Sequence, residues 1–160
     1  MRKQLLSVSI SALLLGSSLA IADTAFDTLA KKKQTEAGLY LTASDAYKLV
    51  SSDDNSLFID VRTRAEVNFL GTASVIDANI PYMNINEWYA WDEKKSSFKL
   101  DVNSKFAEAV AAEVSEKGLN KDAKIVLMCR SGSRSAKAAN LLTSLGYSNV
   151  YTVVDGYEGD

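Results

Sequence analysis

The feature that most constrains how this chain can fold is a strand, a loop and a helix in direct succession at residues 124–146. Residues 125–128 form a short continuous apolar run, which is the pattern of a strand buried on both faces. Residues 129–134 are mostly small, polar or cationic, and from Ser135 onward apolar residues recur at helical spacing until Gly146. Such a unit is typical of an open α/β sheet, in which sites form where strands end and helices begin.

The only cysteine of the chain, Cys129, lies at the start of that loop. Backbone N–H groups at a helix N-terminus attract anions, and Gly132 permits the tight turn that aims them inward. Arg130 and Arg134 add two permanent positive charges. We therefore expect a thiol that is substantially ionised near neutral pH and attacks an anionic substrate. A buried, inert cysteine is the alternative, but the small, polar and cationic neighbours favour catalysis.

The two arginines are expected to differ in position. Arg134 closes the loop at the start of the helix, so we expect its guanidinium to bond loop carbonyl groups and to face the substrate. Arg130 directly follows the nucleophile, and we expect its side chain to project toward the mouth of the pocket, where a point charge attracts anions.

The absence of histidine narrows the chemistry further. It excludes Cys–His proteases, histidine general bases and most zinc sites, so we expect neither a metal nor another cofactor. A single cysteine also forms no internal disulfide. In an exported protein it is either an intermolecular partner or a reactive thiol.

The first 22 residues have the pattern of a secretory signal peptide. Arg2 and Lys3 give a charged start, residues 5–15 are mostly apolar, and residues 20–22 (Ala-Ile-Ala) fit the small-x-small cleavage pattern. A membrane anchor is the alternative, but the apolar run is shorter than the ~20 residues that a spanning helix needs. We therefore expect cleavage before Asp23 and an exported, periplasmic protein without a membrane contact.

Removal of that segment leaves one acidic domain. Without Arg2 and Lys3 the 18 basic residues become 16 against 20 acidic ones, so the net charge is −4 instead of −2. This balance argues against a nucleic-acid partner. Strand patterns alternate with helical patterns along the chain, which predicts an α/β fold with a mainly parallel sheet of about five strands and helices on both faces.

Several segments resemble single-domain rhodaneses, the thiosulfate-type sulfurtransferases. Residues 129–135 read Cys-Arg-Ser-Gly-Ser-Arg-Ser, like the active-site loop of that family. Residues 58–62 (Phe-Ile-Asp-Val-Arg) with the following Glu66, residues 78–81 (Ala-Asn-Ile-Pro), and residues 146–151 resemble further family segments in the same order. The ordered set is more specific than the loop alone.

The resemblance implies a three-layer rhodanese-like domain over residues 39–160, preceded by a leader at residues 23–38. It implies that Cys129 takes a sulfane sulfur from thiosulfate or a similar small anionic donor, carries it as a persulfide, and passes it to cyanide or a thiol. Family sequences usually continue beyond such a C-terminal segment, so a truncated sequence is one hypothesis. The implied substrate-binding residues are those of the loop: Arg130, Ser131, Gly132, Ser133 and Arg134.

Asp60, Arg62 and Glu66 are predicted to support the structure. The spacing of Arg62 and Glu66 predicts an ion pair across one helix turn, and the resemblance implies that all three residues hold the loops together. Direct participation in the site is the alternative. A carboxylate beside an anion site would oppose substrate binding, which favours the structural interpretation.

Residues 82–103 form an insert rich in aromatic and charged side chains. We expect a side excursion that packs its aromatic residues onto the core; a flap over the active site and a protein-binding surface are the alternatives. Residues 71–77 also depart from the family pattern, because they lack its histidine and its first proline, so no role of that histidine transfers to this chain. Beyond Tyr82 at its start, the insert carries the aromatic residues Trp88, Tyr89, Trp91 and Phe98.

Two other functions remain open. Phosphatases and arsenate reductases of a related fold place five residues between cysteine and arginine, whereas four separate Cys129 from Arg134. The narrower loop favours sulfur over a tetrahedral oxyanion. A non-catalytic module that binds a protein partner through the insert is the third hypothesis, and the intact cysteine and arginines argue against it.

Overall fold

The computed structural model describes Phe26 and residues 28–159. The predicted signal peptide at residues 1–22 and its cleavage before Asp23 lie outside the described residues. The described part contains four α-helices: α1 (Ala43–Ser52), α2 (Arg64–Leu70), α3 (Phe106–Glu116) and α4 (Ser133–Ser144). Its strands are β1 (Tyr40–Leu41), β2 (Ser56–Asp60), β3 (Ala78–Asn79), β4 (Met83–Ile85), β5 (Trp91–Asp92), β6 (Ser97–Phe98), β7 (Leu100–Val102), β8 (Lys124–Met128) and β9 (Asn149–Val153).

The predicted parallel sheet of five strands is confirmed. Its order is β1-β9-β8-β2-β3, and all neighbouring pairs are parallel. The apolar run before Cys129 is β8, at the centre of the sheet. Asp60 at the end of β2 pairs in register with Met128 at the end of β8. The segments that follow these two strands therefore leave the sheet side by side at the same edge.

Two apolar clusters cover the two faces of this sheet, which confirms the predicted layers. Alternate residues point to opposite faces of a strand. Ile125 and Leu127 of β8 pack in one cluster with residues of α3 and α4, whereas Val126 and Met128 pack in the other with residues of α1. Because β8 is buried on both faces, its sequence reads as an uninterrupted apolar run.

The helices next to the loop begin at identifiable caps. Thr63 and Glu66 form a capping box at the start of α2, in which each side chain accepts the backbone N–H of the other residue. Gly132 is the N-cap of α4 at φ 87°, so this helix starts at Ser133, two residues before the predicted start at Ser135. A turn of 3-10 helix at Lys31–Lys33 lies in the predicted leader, and the Glu36 N–H donates to Asn140 of α4 over 2.9 Å.

The insert is a β-hairpin made of two successive antiparallel strand pairs, and not a side excursion packed onto the core. Strands β4 and β7 pair antiparallel near its base, and β5 and β6 pair antiparallel beyond them. The expectation that its aromatic residues pack onto the core is wrong for Trp88, which is 81% exposed, and for Tyr89, which is 69% exposed. Tyr82, at the start of the insert, is 9% exposed and does pack edge-on against Phe106 of α3. The hairpin closes its own backbone hydrogen bonds, so it does not require the core for them. Among the described residues no helix is long and apolar enough to cross a membrane.

Candidate active site

Cys129 is the first residue after the central strand β8, and it is 1% exposed. Its Sγ lies 3.6 Å from Oγ of Ser135, in the first turn of α4. The Ser135 hydroxyl donates to the Gly132 carbonyl over 3.0 Å. One hydroxyl proton serves one acceptor at a time. Ser135 can therefore donate either to the loop backbone or, after a rotation, to a negatively charged sulfur on Cys129.

The backbone N–H groups of residues 130–134 are unpaired within the described part of the chain, because no described carbonyl or side chain accepts from them. They belong to the loop and to the first turn of α4, where the helix itself supplies no acceptor. N–H groups in this arrangement, together with the helix dipole, stabilise negative charge. The loop can thus hold an anion beside the Cys129 sulfur.

Two glycines bring other parts of the backbone against this loop. A Cβ atom on Gly132 would lie 2.5 Å from the Val154 carbonyl oxygen. A Cβ atom on Gly156 would overlap the Arg130 carbonyl group and would lie 2.6 Å from the Ser131 nitrogen. Both glycines have positive φ, at 87° and 67°. The loop is therefore packed against the segment after β9 at a distance that only glycine allows.

The segment after β9 also holds the loop through hydrogen bonds. The Tyr157 N–H donates to the Cys129 carbonyl over 2.8 Å, and the Glu158 N–H donates to the Arg130 carbonyl over 3.1 Å. Arg130 Nε lies 3.0 Å from Glu158 Oε2, and the Arg130 side chain is 56% exposed. Arg130 is thus an exposed cation at the rim of the site, paired on one side only by an exposed carboxylate.

Arg134 is bound by Glu66 and not by loop carbonyl groups, so the contact expected from its position is wrong. Its two terminal nitrogens donate to the two Glu66 oxygens over 2.7 and 2.6 Å. Burial raises the pKa of Glu66, but hydrogen bonds from Arg134 and Thr63 outweigh it and lower that pKa to about 2. Burial lowers the pKa of Arg134, and Glu66 raises it above its usual value. Both groups are therefore charged at neutral pH, and the pair fixes the guanidinium beside the loop.

The predicted ion pair between Arg62 and Glu66 is also wrong. Arg62 lies before the N-cap Thr63, outside α2, so the geometry of one helix turn does not apply to it. Its Nε donates to Asp60 over 3.0 Å, and one terminal nitrogen donates to Asp60 over 2.6 Å and to the Gly71 carbonyl over 2.8 Å. Both side chains of the Asp60–Arg62 pair are fully buried.

This buried pair lies behind the loop. The Arg62 guanidinium carbon is 3.7 Å from the centre of the Tyr157 ring, a cation–π contact. Tyr157 is the residue whose N–H binds the Cys129 carbonyl, and its hydroxyl donates to the Leu70 carbonyl over 2.7 Å. Arg62 thus reaches the cysteine loop through Tyr157, whereas Glu66 touches an arginine of the loop directly.

A cavity of about 590 Å³ opens over the loop. Its lining comes from the cysteine loop, from α2 with its cap Thr63, and from the insert. Four of the predicted loop residues and one of the three support residues, Glu66, line it, whereas Cys129 and Gly132 do not. The cavity is lined by Thr63, Ala65, Glu66, Phe69, Leu70, Ile85, Ser97, Phe98, Leu100, Arg130, Ser131, Ser133 and Arg134.

Four residues that hold the cysteine loop or its partner Glu66 were not predicted from the sequence: Thr63, Ser135, Gly156 and Tyr157. Thr63 had a readable signal, since Thr63 and Glu66 have the spacing of a capping box. Ser135 ends the motif at residues 129–135, but its sequence position predicts only a helix start and no contact with Cys129. Gly156 and Tyr157 had no local signal, because their contacts are with Cys129, Arg130 and Arg62 far along the chain. In the described residues no cluster of three or more His, Cys, Asp or Glu side chains could hold a metal ion.

Comparison with known proteins agrees with this architecture. The uncharacterized protein RC0915 of Rickettsia conorii is 34% identical over 123 residues, which cover 75% of this chain and 84% of that protein. The thiosulfate sulfurtransferase GlpE of Tolumonas auensis is 42% identical over 41 residues, 26% of this chain and 39% of that protein. The solution structure of the polysulfide-sulfur transferase homodimer of Wolinella succinogenes has a TM-score of 0.50 at 21% identity, and the match covers 74% of this chain and 69% of that chain.

A family profile described as the rhodanese-like domain matches residues 42–159. The match runs from the N-cap of α1 through the cysteine loop to the segment that packs behind it. It therefore includes the buried Asp60–Arg62 pair, Glu66, the insert and the whole of α4. On the strength of this match and of the parallel sheet that carries the loop, the chain belongs to the rhodanese-like domain family.

Proposed function

We propose that this protein is a sulfurtransferase that moves a sulfane sulfur from thiosulfate or a similar donor to a thiophilic acceptor. The observation that carries the proposal is the position of Cys129 beneath a loop whose N–H groups at residues 130–134 are unpaired among the described residues. Those groups and the exposed Arg130 at the rim offer positive potential to an anion whose outer sulfur meets the cysteine.

In the first step the Cys129 thiolate attacks the outer sulfur of the donor. A bond forms between Sγ and that sulfur, the bond between the two donor sulfurs breaks, and its electron pair leaves with sulfite when the donor is thiosulfate. The product is a persulfide on Cys129. Since Cys129 is 1% exposed, a small terminal sulfur atom suits this site better than a bulky electrophile.

In the second step a thiolate or cyanide attacks the outer sulfur of the persulfide. The new bond forms to the acceptor, the persulfide bond breaks, and Cys129 regains its electron pair as a thiolate. The loop N–H groups stabilise the anionic sulfur in both states, and the Ser135 hydroxyl lies near enough to assist. No external oxidant or reductant takes part.

Named relatives support this chemistry. The Tolumonas auensis protein is called a thiosulfate sulfurtransferase and the Wolinella succinogenes protein a polysulfide-sulfur transferase. The proposal extends their reaction class to this chain because its cysteine, two arginines and glycine stand in one loop. Thiosulfate is the first donor to test, and a thiol and cyanide are the first acceptors.

We also propose that the protein acts after export, in the periplasm. Support comes from the charged start, the apolar run and the small-x-small pattern within residues 1–22. A lone reactive cysteine in an oxidising compartment also fits a sulfur carrier. Protease protection of the full chain in spheroplasts is the test: a protein that stays with the cytoplasmic fraction and keeps residues 1–22 would contradict export.

Intact mass spectrometry tests the sulfur transfer. Thiosulfate is expected to add about 32 Da to the purified protein, one sulfur on the thiolate. Oxidation of the cysteine to a sulfinic acid adds about the same mass, so cyanide is the necessary control. Cyanide removes a persulfide sulfur as thiocyanate and leaves a sulfinate untouched.

The Cys129→Ser variant is the matched negative control, because it replaces one atom of a buried side chain. It is expected to show no gain of mass from thiosulfate. The proposal fails if the wild-type mass never rises, or rises without being reversed by cyanide. Aryl phosphate hydrolysis that disappears in Cys129→Ser would instead identify a phosphatase.

A further inference from the structure

The insert and α2 give the site a second, apolar wall that sulfur transfer from thiosulfate does not use. Phe98 and Ile85 of the insert and Phe69 and Leu70 of α2 line the cavity together with residues of the cysteine loop. Phe69 is 82% exposed, Leu70 is 49% exposed and Phe98 is 45% exposed. Large apolar side chains exposed together around a reactive group mark a binding surface more often than chance exposure.

The insert wall is held in place without a ligand. The Phe98 ring makes edge contacts with Trp91 at 5.3 Å and with Tyr89 at 6.1 Å between ring centres. Backbone hydrogen bonds join Lys99 to Ala90 over 2.7 Å and Asn86 to Lys99 over 2.8 Å. The Phe98 side chain is therefore presented by a closed hairpin and does not have to become ordered when it is covered.

The position of the reacting sulfur determines what reaches this wall. Cys129 is 1% exposed and does not itself line the cavity, whereas Arg130, Ser131, Ser133 and Arg134 of its loop do. A donor whose outer sulfur reaches Cys129 past these residues keeps its remaining atoms on the cavity side of the loop. A cavity of about 590 Å³ is in the range of roughly 300–1,000 Å³ that holds drug-sized organic ligands. Thiosulfate alone would leave the apolar wall uncovered.

The charges limit the ligand to one anionic end. Glu66 neutralises Arg134 through two hydrogen bonds, whereas Arg130 is an exposed cation at the rim that Glu158 contacts through Nε. The loop N–H groups of residues 130–134 also have no acceptor among the described residues. An amphipathic sulfur compound matches this division, with its anionic sulfur group on the loop and its apolar part on Phe69 and Phe98.

We propose that the sulfur donor of this protein carries an apolar organic group on its anionic sulfur centre, and that Phe69 and Phe98 select it. This inference rests on the sulfur transfer proposed above. With a thiosulfonate as the probe, the Cys129 thiolate attacks the outer sulfur, the bond between that sulfur and the sulfonyl sulfur breaks, and a sulfinate leaves with the electron pair. The apolar group of the sulfinate lies against the two phenyl rings.

Benzenethiosulfonate and methanethiosulfonate test the inference, because they share the reacting group and differ only in the apolar part. The measured quantity is the ratio of kcat/KM for the phenyl donor to kcat/KM for the methyl donor. Intrinsic reactivity of the two donors cancels when this ratio is compared between variants. Phe98→Ala and Phe69→Ala are each expected to lower the ratio about 5- to 20-fold, since each removes apolar surface that covers the phenyl group.

Trp88→Ala is the matched control. Trp88 lies on the same insert and is 81% exposed, but it does not line the cavity. It is expected to leave the ratio unchanged. Phe69→Ala separates loss of apolar surface from misfolding of the hairpin, because Phe69 lies on α2, outside the insert.

An unchanged ratio in Phe69→Ala and Phe98→Ala would overturn the inference while the sulfur transfer stands. An equal fall in Trp88→Ala would also overturn it, because Trp88 does not line the cavity and the effect would then not depend on the cavity wall. If no donor loads Cys129, the proposed function itself fails. Calorimetric binding of benzenesulfinate needs no turnover and then tests the apolar subsite. Weaker binding of benzenesulfinate by Phe69→Ala and Phe98→Ala, but not by Trp88→Ala, supports the subsite. Equal binding by all variants rejects it.

Discussion

The cysteine loop and the insert line the same cavity, but they are stabilised in different ways. Residues 129–135 are held by contacts from α2 and from the segment after β9, and Cys129 and Ser135 are fully or almost fully buried. Residues 82–103 close on themselves as a hairpin and leave Trp88 and Tyr89 exposed. One wall depends on the whole fold, and the other depends on its own pairing.

This difference separates two tasks that a site must perform. Chemistry at Cys129 needs N–H groups and charges held in one geometry, because preorganised dipoles stabilise charge without rearrangement. Recognition of a ligand needs a surface whose composition can differ between proteins while the chemistry stays the same. An insert that closes its own hydrogen bonds meets that need, since changes in it leave the sheet and the loop intact.

The largest effect is expected where the backbone packs against the loop. Gly156→Ala should destabilise the protein by about 3 kcal/mol, because the new Cβ overlaps the Arg130 carbonyl group in addition to adopting a positive φ. Gly118→Ala is the matched control: its φ of 68° is nearly that of Gly156 at 67°, and no atom lies within 4 Å of the new Cβ. The control should lose about 1–2 kcal/mol by strain alone.

Urea unfolding of wild type, Gly156→Ala and Gly118→Ala measures how much free energy of unfolding each variant loses. Equal losses in Gly156→Ala and Gly118→Ala would show that the loop has room to move, and the contrast between the two walls would then fail. A larger loss in Gly156→Ala, with slower loading of Cys129 by thiosulfate in the folded fraction, is the result that the packing predicts.

The second effect concerns the ion pair that ties α2 to the loop. The pKa of Glu66 is lowered from 4.5 to about 2, so the pair contributes its full stability above pH 4.5 and loses it as the pH falls through about 2. Glu66→Gln should cost about 1.5–3 kcal/mol at pH 7, the size of a charge-assisted hydrogen bond. The difference in the free energy of unfolding between wild type and Glu66→Gln should shrink steadily as the pH falls from 4.5 to about 2.

Unfolding curves of wild type and Glu66→Gln across that pH range give the measurement. Glu108→Gln is the control, because Glu108 pairs with Lys105 on the surface, where both side chains are exposed. Glu108→Gln should change the pH dependence of the free energy of unfolding much less than Glu66→Gln does. A gap between wild type and Glu66→Gln that stays constant as the pH falls would mean that the carboxylate does not hold Arg134 in solution.

The smallest effect is expected in the insert. Trp88→Ala should change the free energy of unfolding by no more than about 0.5 kcal/mol, since the side chain is largely exposed and covers little of the core. Thermal or urea unfolding checks this value. A loss above about 1 kcal/mol would show that the insert is coupled to the fold, and it would remove the distinction between the two walls.

The contacts of the three support residues show where prediction from spacing failed. Spacing suggested a pair between Arg62 and Glu66, but Arg62 lies before the cap of α2 and turns back to Asp60. Glu66 instead pairs with Arg134, which is 68 residues further along the chain. The capping box was readable in the sequence, and reading it would have excluded the helical pair, because it places Thr63 at the helix boundary.

The sequence by itself determined the features that depend on neighbouring residues. The apolar run of β8, the polar loop with its cysteine and the helical spacing of α4 identify a strand, a site and a helix, since each pattern follows from the period of its element. The family resemblance and the five-stranded parallel sheet came from the same local patterns in order.

Only the tertiary structure decided which residues meet around Cys129. Parallel pairing of β2, β8 and β9 brings the ends of three distant segments to one edge, and there Glu66 meets Arg134, Gly156 meets Arg130, and Tyr157 meets Arg62. The orientation of the insert, which makes Phe98 part of the cavity, was decided there as well. No local pattern encodes such contacts, because they depend on the register and order of strands far apart in the chain.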